Sequence, residues 1–236
     1  MDNYNSYNLE NVEDNSTSFV DNSVIDSERD TQVYFRNIER HLLRYIEEAN
    51  VVLGCVAWLT SEPILEALAT KDYVSIIVQK EDFLRPDMDS GNRNSWKKWL
   101  QEKYMSLQSS LNRFMFDNLL RHVSYCTDPS IEAIRCVGNY NRDKKPAFPR
   151  MHNKFLIFAK IVEVDEDSWG RVIPYGVWTG SFNLTKNATY SFENAIYLTD
   201  PEIVRAYYNE YGQIASMSEP LDWESDWIEP EWRIGS

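Results

Sequence analysis

The chain has 236 residues and a mass of 27.8 kDa, with 43% hydrophobic and 14% aromatic residues, which suits one folded domain with a substantial core and excludes a disordered chain. No apolar run approaches the roughly 20 residues a membrane helix needs, and the start Met1-Asp2-Asn3-Tyr4-Asn5 is neither basic nor apolar, so neither span nor signal peptide is expected. The formal charge of −13 argues at first against a nucleic-acid protein, whose partners favour basic surfaces.

Its distribution along the chain removes that objection. Residues 1–30 carry −7 and residues 219–236 carry −5, leaving −1 for 31–218. The body is near neutral and the ends are acidic. Three cysteines, Cys55, Cys126 and Cys136, are an odd count without CxxC spacing, and read as reduced thiols of a cytoplasmic protein.

In chain order, residues 1–30 are rich in Asn, Asp and Ser and read as a flexible acidic arm. Val33, Ile38, Leu42 and Ile46 follow helical spacing through Glu48. Val51–Trp58 is an apolar run of strand length. Ser61 and Pro63 open a short helix through Leu68. Tyr73–Val78 is a second buried strand. After the polar loop Arg85–Asn94, a long amphipathic helix is expected from Ser95 to Arg121, with Trp96, Trp99, Leu100, Met105 and Leu107 as its apolar stripe. Ile131–Val137, Lys154–Val164, Arg171–Thr179 and Ala195–Leu198 complete the strands, and Pro201 opens a final helix. Strands alternating with helices predict an α/β domain over 31–218. The tail 219–236, bearing Trp223, Trp227 and Trp232, either packs its aromatics on the body or offers a docking strip.

Two local patterns carry chemistry. His152-Asn153-Lys154 enters the strand Phe155–Phe158, and residues i and i+2 of an extended chain share a face. Gly180-Ser181-Phe182-Asn183-Leu184-Thr185 follows a strand end, with Glu193-Asn194 just before the next strand. A neutral imidazole can attack phosphorus and divide one displacement into two. Lys154 and Asn183 can stabilise charge on phosphate oxygens, Ser181 can add a donor, and Glu193 can hold the imidazole's second nitrogen.

These segments, with Lys186 and Ser191-Phe192-Glu193-Asn194-Ala195, resemble the signature of the phospholipase D superfamily and are closest to its short Nuc-type endonucleases with one motif copy. The resemblance implies a mixed β-sheet flanked by helices on both faces, phosphohistidine chemistry, and no metal or other cofactor. It makes His152 nucleophile or acid, Lys154, Ser181 and Asn183 phosphate ligands, and Glu193 the carboxylate behind the histidine. It departs at Ala159, where the pattern has Asp.

The other histidines, His41 and His122, lack an HxK context. The missing general acid is therefore expected from a second protomer, in a homodimer with one shared site. Arg142, Lys144, Lys145 and Arg150 lie before the motif and Lys186 after it. They form a candidate rim for DNA or RNA. A phospholipase lacks support, because no basic amphipathic helix is evident. A nuclease of this type is a candidate effector of an anti-phage defence complex; the alternative is a non-catalytic or regulated nucleic-acid-binding subunit, its acidic ends docked to a partner such as an ATPase.

Overall fold

The computed structural model describes residues 21–80, 84, 93–109, 111, 114–118, 132–138, 150–162, 170–221 and 223. Eight strands run β1 (Thr31–Tyr34), β2 (Val51–Val56), β3 (Tyr73–Gln79), β4 (Ile134–Val137), β5 (Lys154–Val162), β6 (Arg171–Gly180), β7 (Ala195–Leu198) and β8 (Glu219–Pro220). Among the described residues four helices are interleaved: α1 (Ile38–Glu48), α2 (Glu62–Ala69), α3 (Arg93–Met105) and α4 (Pro201–Ser216). The strands form one sheet in the order β1-β7-β6-β5-β2-β3-β4-β8. The β2, β3 and β4 neighbours are parallel, and every other pair is antiparallel. This is the mixed α/β sheet expected from the sequence.

Alternation along the central strands builds two cores. Val52 and Val56 of β2, with Leu156 and Phe158 of β5, pack under α1, α2 and α3. Val51, Leu53 and Cys55, with Phe155, Ile157 and Ala159, pack under α4. Because both faces are covered, β2 reads as an unbroken apolar run rather than an alternating one. On the first face Tyr45 stacks on Tyr197 at 4.0 Å, beside Phe158 and Trp178. The buried Tyr34 and Tyr45 hydroxyls lie 2.6 Å apart, and both reach Gln32 Oε1, so that apolar layer holds no orphaned hydroxyl there.

Several boundaries differ from the sequence reading. Residues 31–34 form a strand instead of opening the first helix, because Asn37 takes a left-handed φ of 52° and turns the chain between the two. Residues 21–30 lie along that strand: Val24 and Val33 exchange backbone hydrogen bonds of 2.9 Å, and Thr199 N donates to Asp30 O. The helix expected over 95–121 ends at Met105. Ser106 Oγ bonds the Lys103 carbonyl, Val74 N donates to Gln108 O, and Ser109 bridges Tyr73 in antiparallel fashion. A serine hydroxyl that competes for a backbone carbonyl, followed by strand-like contacts with β3, ends the helix there. Its expected stripe is only partly internal. Leu100 and Leu107 are buried, whereas Met105 is 74% and Trp96 39% exposed.

The start of the acidic tail belongs to the sheet. Glu219 pairs with the buried Lys80, and Trp223 meets Tyr104 edge-on at 6.0 Å. Cys55 and Cys136 are buried free thiols, and burial pushes the Cys55 thiol well up. No described helix is long and apolar enough to cross a membrane.

Candidate active site

Register decides where the three sequence patterns meet. Lys154 opens β5 opposite Val56, the last residue of β2. Phe155 pairs with Thr179 near the end of β6, and Gly180 pairs with Ala195 at the start of β7. Residues 152–154, 180–185 and 193–194 therefore share one end of the sheet, beyond the carboxyl end of β2. That is the end at which sheets of this class leave room for ligands.

The backbone around His152 is held from both sides. Asn153 O accepts from Ala57 N at 2.8 Å, and Met151 N donates to Gln79 Oε1 at 2.6 Å. Trp58 presents itself perpendicular to the imidazole, with ring centroids 6.0 Å apart. Lys154 Nζ lies 3.2 Å and 3.3 Å from the two ring nitrogens and donates to His152 O at 3.0 Å. The His152–Lys154 pair expected from the i, i+2 spacing is thus formed, with the ammonium folded back over the motif. Burial holds the Lys154 amine below its ordinary pKa, and the nearby Glu193 carboxylate acts against that shift.

Glu193 accepts a hydrogen bond from the Ser181 hydroxyl. The sequence reading places this carboxylate behind the imidazole and makes Ser181 a phosphate donor. The two are bonded to one another across the connection between β6 and β7. The Ser181 amide is divided between Asn194 Oδ1 (3.0 Å) and Asn194 O (3.1 Å), while Asn194 N donates back to Ser181 Oγ. Asn194 is a clamp to which the sequence pattern assigns no role.

This tight turn needs Gly180. Its φ is +150°, and a Cβ there would lie 2.3 Å from Asn194 O and 2.8 Å from Ala195 Cα. Asn183 is half-buried, and its Oδ1 has no hydrogen-bond partner among the described residues. A buried amide end without a partner is costly, which suits a group awaiting a ligand. Leu184 O accepts from both Thr60 N (2.8 Å) and Ser61 N (2.9 Å), tying the loop to the start of α2. Lys186 opens a 3-10 turn, Lys186–Tyr190, capped by Thr185.

Of the expected basic rim, Arg150 and Lys186 are exposed near this end. Arg142, Lys144 and Lys145 lie outside the described residues. His41 sits on α1 against the Tyr34 ring at 4.6 Å, and its burial holds its pKa low. It packs on the β1 end that pairs with the start of β7. His122 lies outside the described residues.

A cavity of about 950 Å³ adjoins the site on the α1–α3 side, lined by Trp58, Trp96, Trp99, Lys186, Tyr190 and Glu39 among others. The sequence reading does not find it. Its aromatics come from separate elements, and Trp96 and Trp99 read as part of a core stripe.

No family model matches the chain. Among solved structures it is similar to Nuc, a phospholipase D family member from Salmonella typhimurium, at 17% identity and a TM-score of 0.43 over 80% of this chain and 95% of that one. It is also similar to NucT from Helicobacter pylori, at 12% identity and a TM-score of 0.46 over 80% and 98%. In sequence it is 34% identical over 214 residues to the uncharacterised protein L381 of Acanthamoeba polyphaga mimivirus, spanning 84% of this chain and 70% of that protein. With that identity sustained over most of both sequences, the chain belongs to one family with the mimivirus protein L381.

Proposed function

We propose that this protein is a phosphodiesterase of phospholipase D type that cleaves nucleic acid through a phosphohistidine formed on His152. The observation that carries the reading is the meeting of His152, Lys154, Asn183 and the Ser181–Glu193 pair at one sheet end, with Lys154 Nζ 3.2 Å from the imidazole.

In the first step an imidazole nitrogen of His152 attacks phosphorus, forming the N–P bond as the P–O bond to the leaving strand breaks. A phosphate oxygen competes for the Lys154 ammonium, drawing it off the imidazole to face the developing charge. The Asn183 amide, whose oxygen has no partner among the described residues, turns its NH2 end towards a second phosphate oxygen. Glu193 holds Ser181 and adds the negative charge that favours the Lys154 ammonium. In the second step water displaces the imidazole, the N–P bond breaking as the new O–P bond forms, and the water's proton passes to the group that protonated the leaving oxygen.

The leaving oxygen needs a proton, and His152 alone cannot be both nucleophile and acid. His41 of α1 packs on the Tyr34 ring of β1, and we assign the acid to His152 of a second copy across a two-fold axis. The reaction has no step that calls for a metal ion. Cleavage of DNA or RNA that persists in EDTA, disappears in His152→Ala, and leaves an acid-labile phosphoryl group on His152 is the expected result. Dimers mixed from wild-type and His152→Ala chains should lose turnover in step with the loss of doubly wild-type pairs. Hydrolysis of phosphatidylcholine without nucleic-acid cleavage, or full activity in His152→Ala, overturns the reading.

A further inference from the structure

The cavity beside His152 has a composition that a phosphate track would not have. Its aromatic walls are Trp58, Trp96, Trp99 and Tyr190, while Glu39 and Glu62 lie on its α1–α2 side. Glu39 accepts from Ser61 Oγ at 2.7 Å, and Glu62 faces Lys103 at 3.3 Å. Carboxylates there repel a phosphate backbone. They suit the amino edges of nucleobases, and indole faces suit the flat surfaces.

The cationic partner lies at the cavity's other boundary, where Lys186 follows the Asn183 loop. Trp58 belongs to both places: it lines the cavity and stands edge-on to His152. A phosphate at His152 thus has aromatic surface within one nucleotide's reach. Trp96 and Trp99 face one another at 6.5 Å with a 32° tilt, and Trp96 keeps 39% of its surface exposed. The volume of about 950 Å³ falls within the roughly 300–1,000 Å³ of ligand sites.

We infer that this cavity receives unpaired nucleobases next to the scissile phosphate, which makes single-stranded nucleic acid the substrate. A base inside a duplex keeps its faces stacked and its pairing edge occupied, so it cannot enter without being extruded. A single strand offers both face and edge at no such cost. The inference rests on the proposed phosphodiesterase reading for the position of the phosphate, while the base site itself can be probed by binding alone.

The test is a cycle of substitutions on protein and ligand. Full-length His152→Ala protein is titrated with a short fluorescent single strand, as DNA and as RNA, intact or carrying one to three abasic residues. The same strands are titrated into His152→Ala chains that also carry Trp99→Ala, Trp96→Ala or Trp99→Phe. Intact strand should bind at least about tenfold more tightly than abasic strand when the indoles are present. That ratio should collapse towards one in the Trp→Ala chains and survive in Trp99→Phe.

An intact-to-abasic ratio unchanged by Trp96→Ala and Trp99→Ala overturns the inference. So does duplex binding as tight as single-strand binding, or saturable binding of an aromatic peptide with no response to oligonucleotides. The two readings fail separately. If the cycle holds while wild-type protein cleaves nothing, the phosphodiesterase reading falls; if cleavage persists without the cycle, the base site falls.

Discussion

Replacing Gly180 by alanine is the sharpest single perturbation of the site's frame. The added methyl would sit 2.3 Å from Asn194 O and 2.8 Å from Ala195 Cα, both backbone atoms that cannot rotate away. Reaching an ordinary contact of 3.4 Å requires β6 and β7 to part by about 1 Å where Gly180 pairs with Ala195. Overpacking of this kind costs about 1–3 kcal/mol, and a non-glycine residue at φ +150° adds about 1–3 kcal/mol. The sum is roughly 2–6 kcal/mol. With a urea slope of about 2–3 kcal/mol per molar for a chain of this size, the unfolding midpoint should fall by roughly 0.7–3 M.

The same parting pulls Asn194 from the Ser181 amide, whose two bonds are 3.0 and 3.1 Å. Cleavage without urea should therefore drop at least about tenfold even in protein that is still folded. Urea unfolding followed by circular dichroism reads the first effect, and initial cleavage rates read the second. A midpoint within about 0.3 M of wild type at unchanged slope would refute the steric reasoning.

Lys154 sets an alkaline limit. Burial lowers its pKa, so the charge that faces the phosphate is present at low pH and lost as pH rises through that depressed value. The decline in kcat/KM should come below the ordinary lysine range, and Lys154→Arg should abolish it at some cost in rate; an unmoved decline in Lys154→Arg assigns it to another group. Truncation tests the start of the tail, with a chain ending after Trp223 as the reference. Ending it before Glu219 removes β8 and the carboxylate facing the buried Lys80, at about 3 kcal/mol or more and roughly 10 °C. If the acidic ends restrain the site, the longer truncation product also cleaves faster than the intact chain. Ala159→Asp should lower the urea midpoint by about 1 M or more without raising kcat; a more active variant would restore the missing motif residue to the chemistry.

What the sequence disclosed follows from range. β2 and β5 are legible because burial on both faces makes them apolar runs, and α1 because Ile38, Leu42 and Ile46 repeat at helical spacing. The chemical residues are legible because each sits within a few positions of a strand end, and antiparallel pairing brings those ends together. Spacing alone merges β1 into α1, since Val33 continues the helical pattern and only the left-handed Asn37 breaks it. The end of α3 depends on strand-like contacts of Gln108 and Ser109 with β3, which no local pattern encodes. The cavity is less legible still: Trp58, Trp96 and Tyr190 come from three separate segments. Only the sheet order makes them neighbours. The Ser181–Glu193 bond spans 12 positions of sequence and is likewise set by the pairing of β6 with β7.

Ala159 shows how placement changes the weight of a departure from a motif. It lies five residues along β5 from Lys154, roughly 16 Å at strand rise, and packs on the α4 face with Ile157 and Phe155. Lys154 shares its parity with Leu156 and Phe158 on the other face. An aspartate at 159 would thus be remote from the imidazole of its own chain and directed away from it. It would also be fully buried, between Val51 of β2 and Pro174 of β6, where a carboxylate without a partner costs several kcal/mol. The charge that helps hold Lys154 protonated comes instead from Glu193, at the same sheet end as the lysine. The alanine therefore bears on packing, and the competence of the site turns on whether two such sheet ends meet.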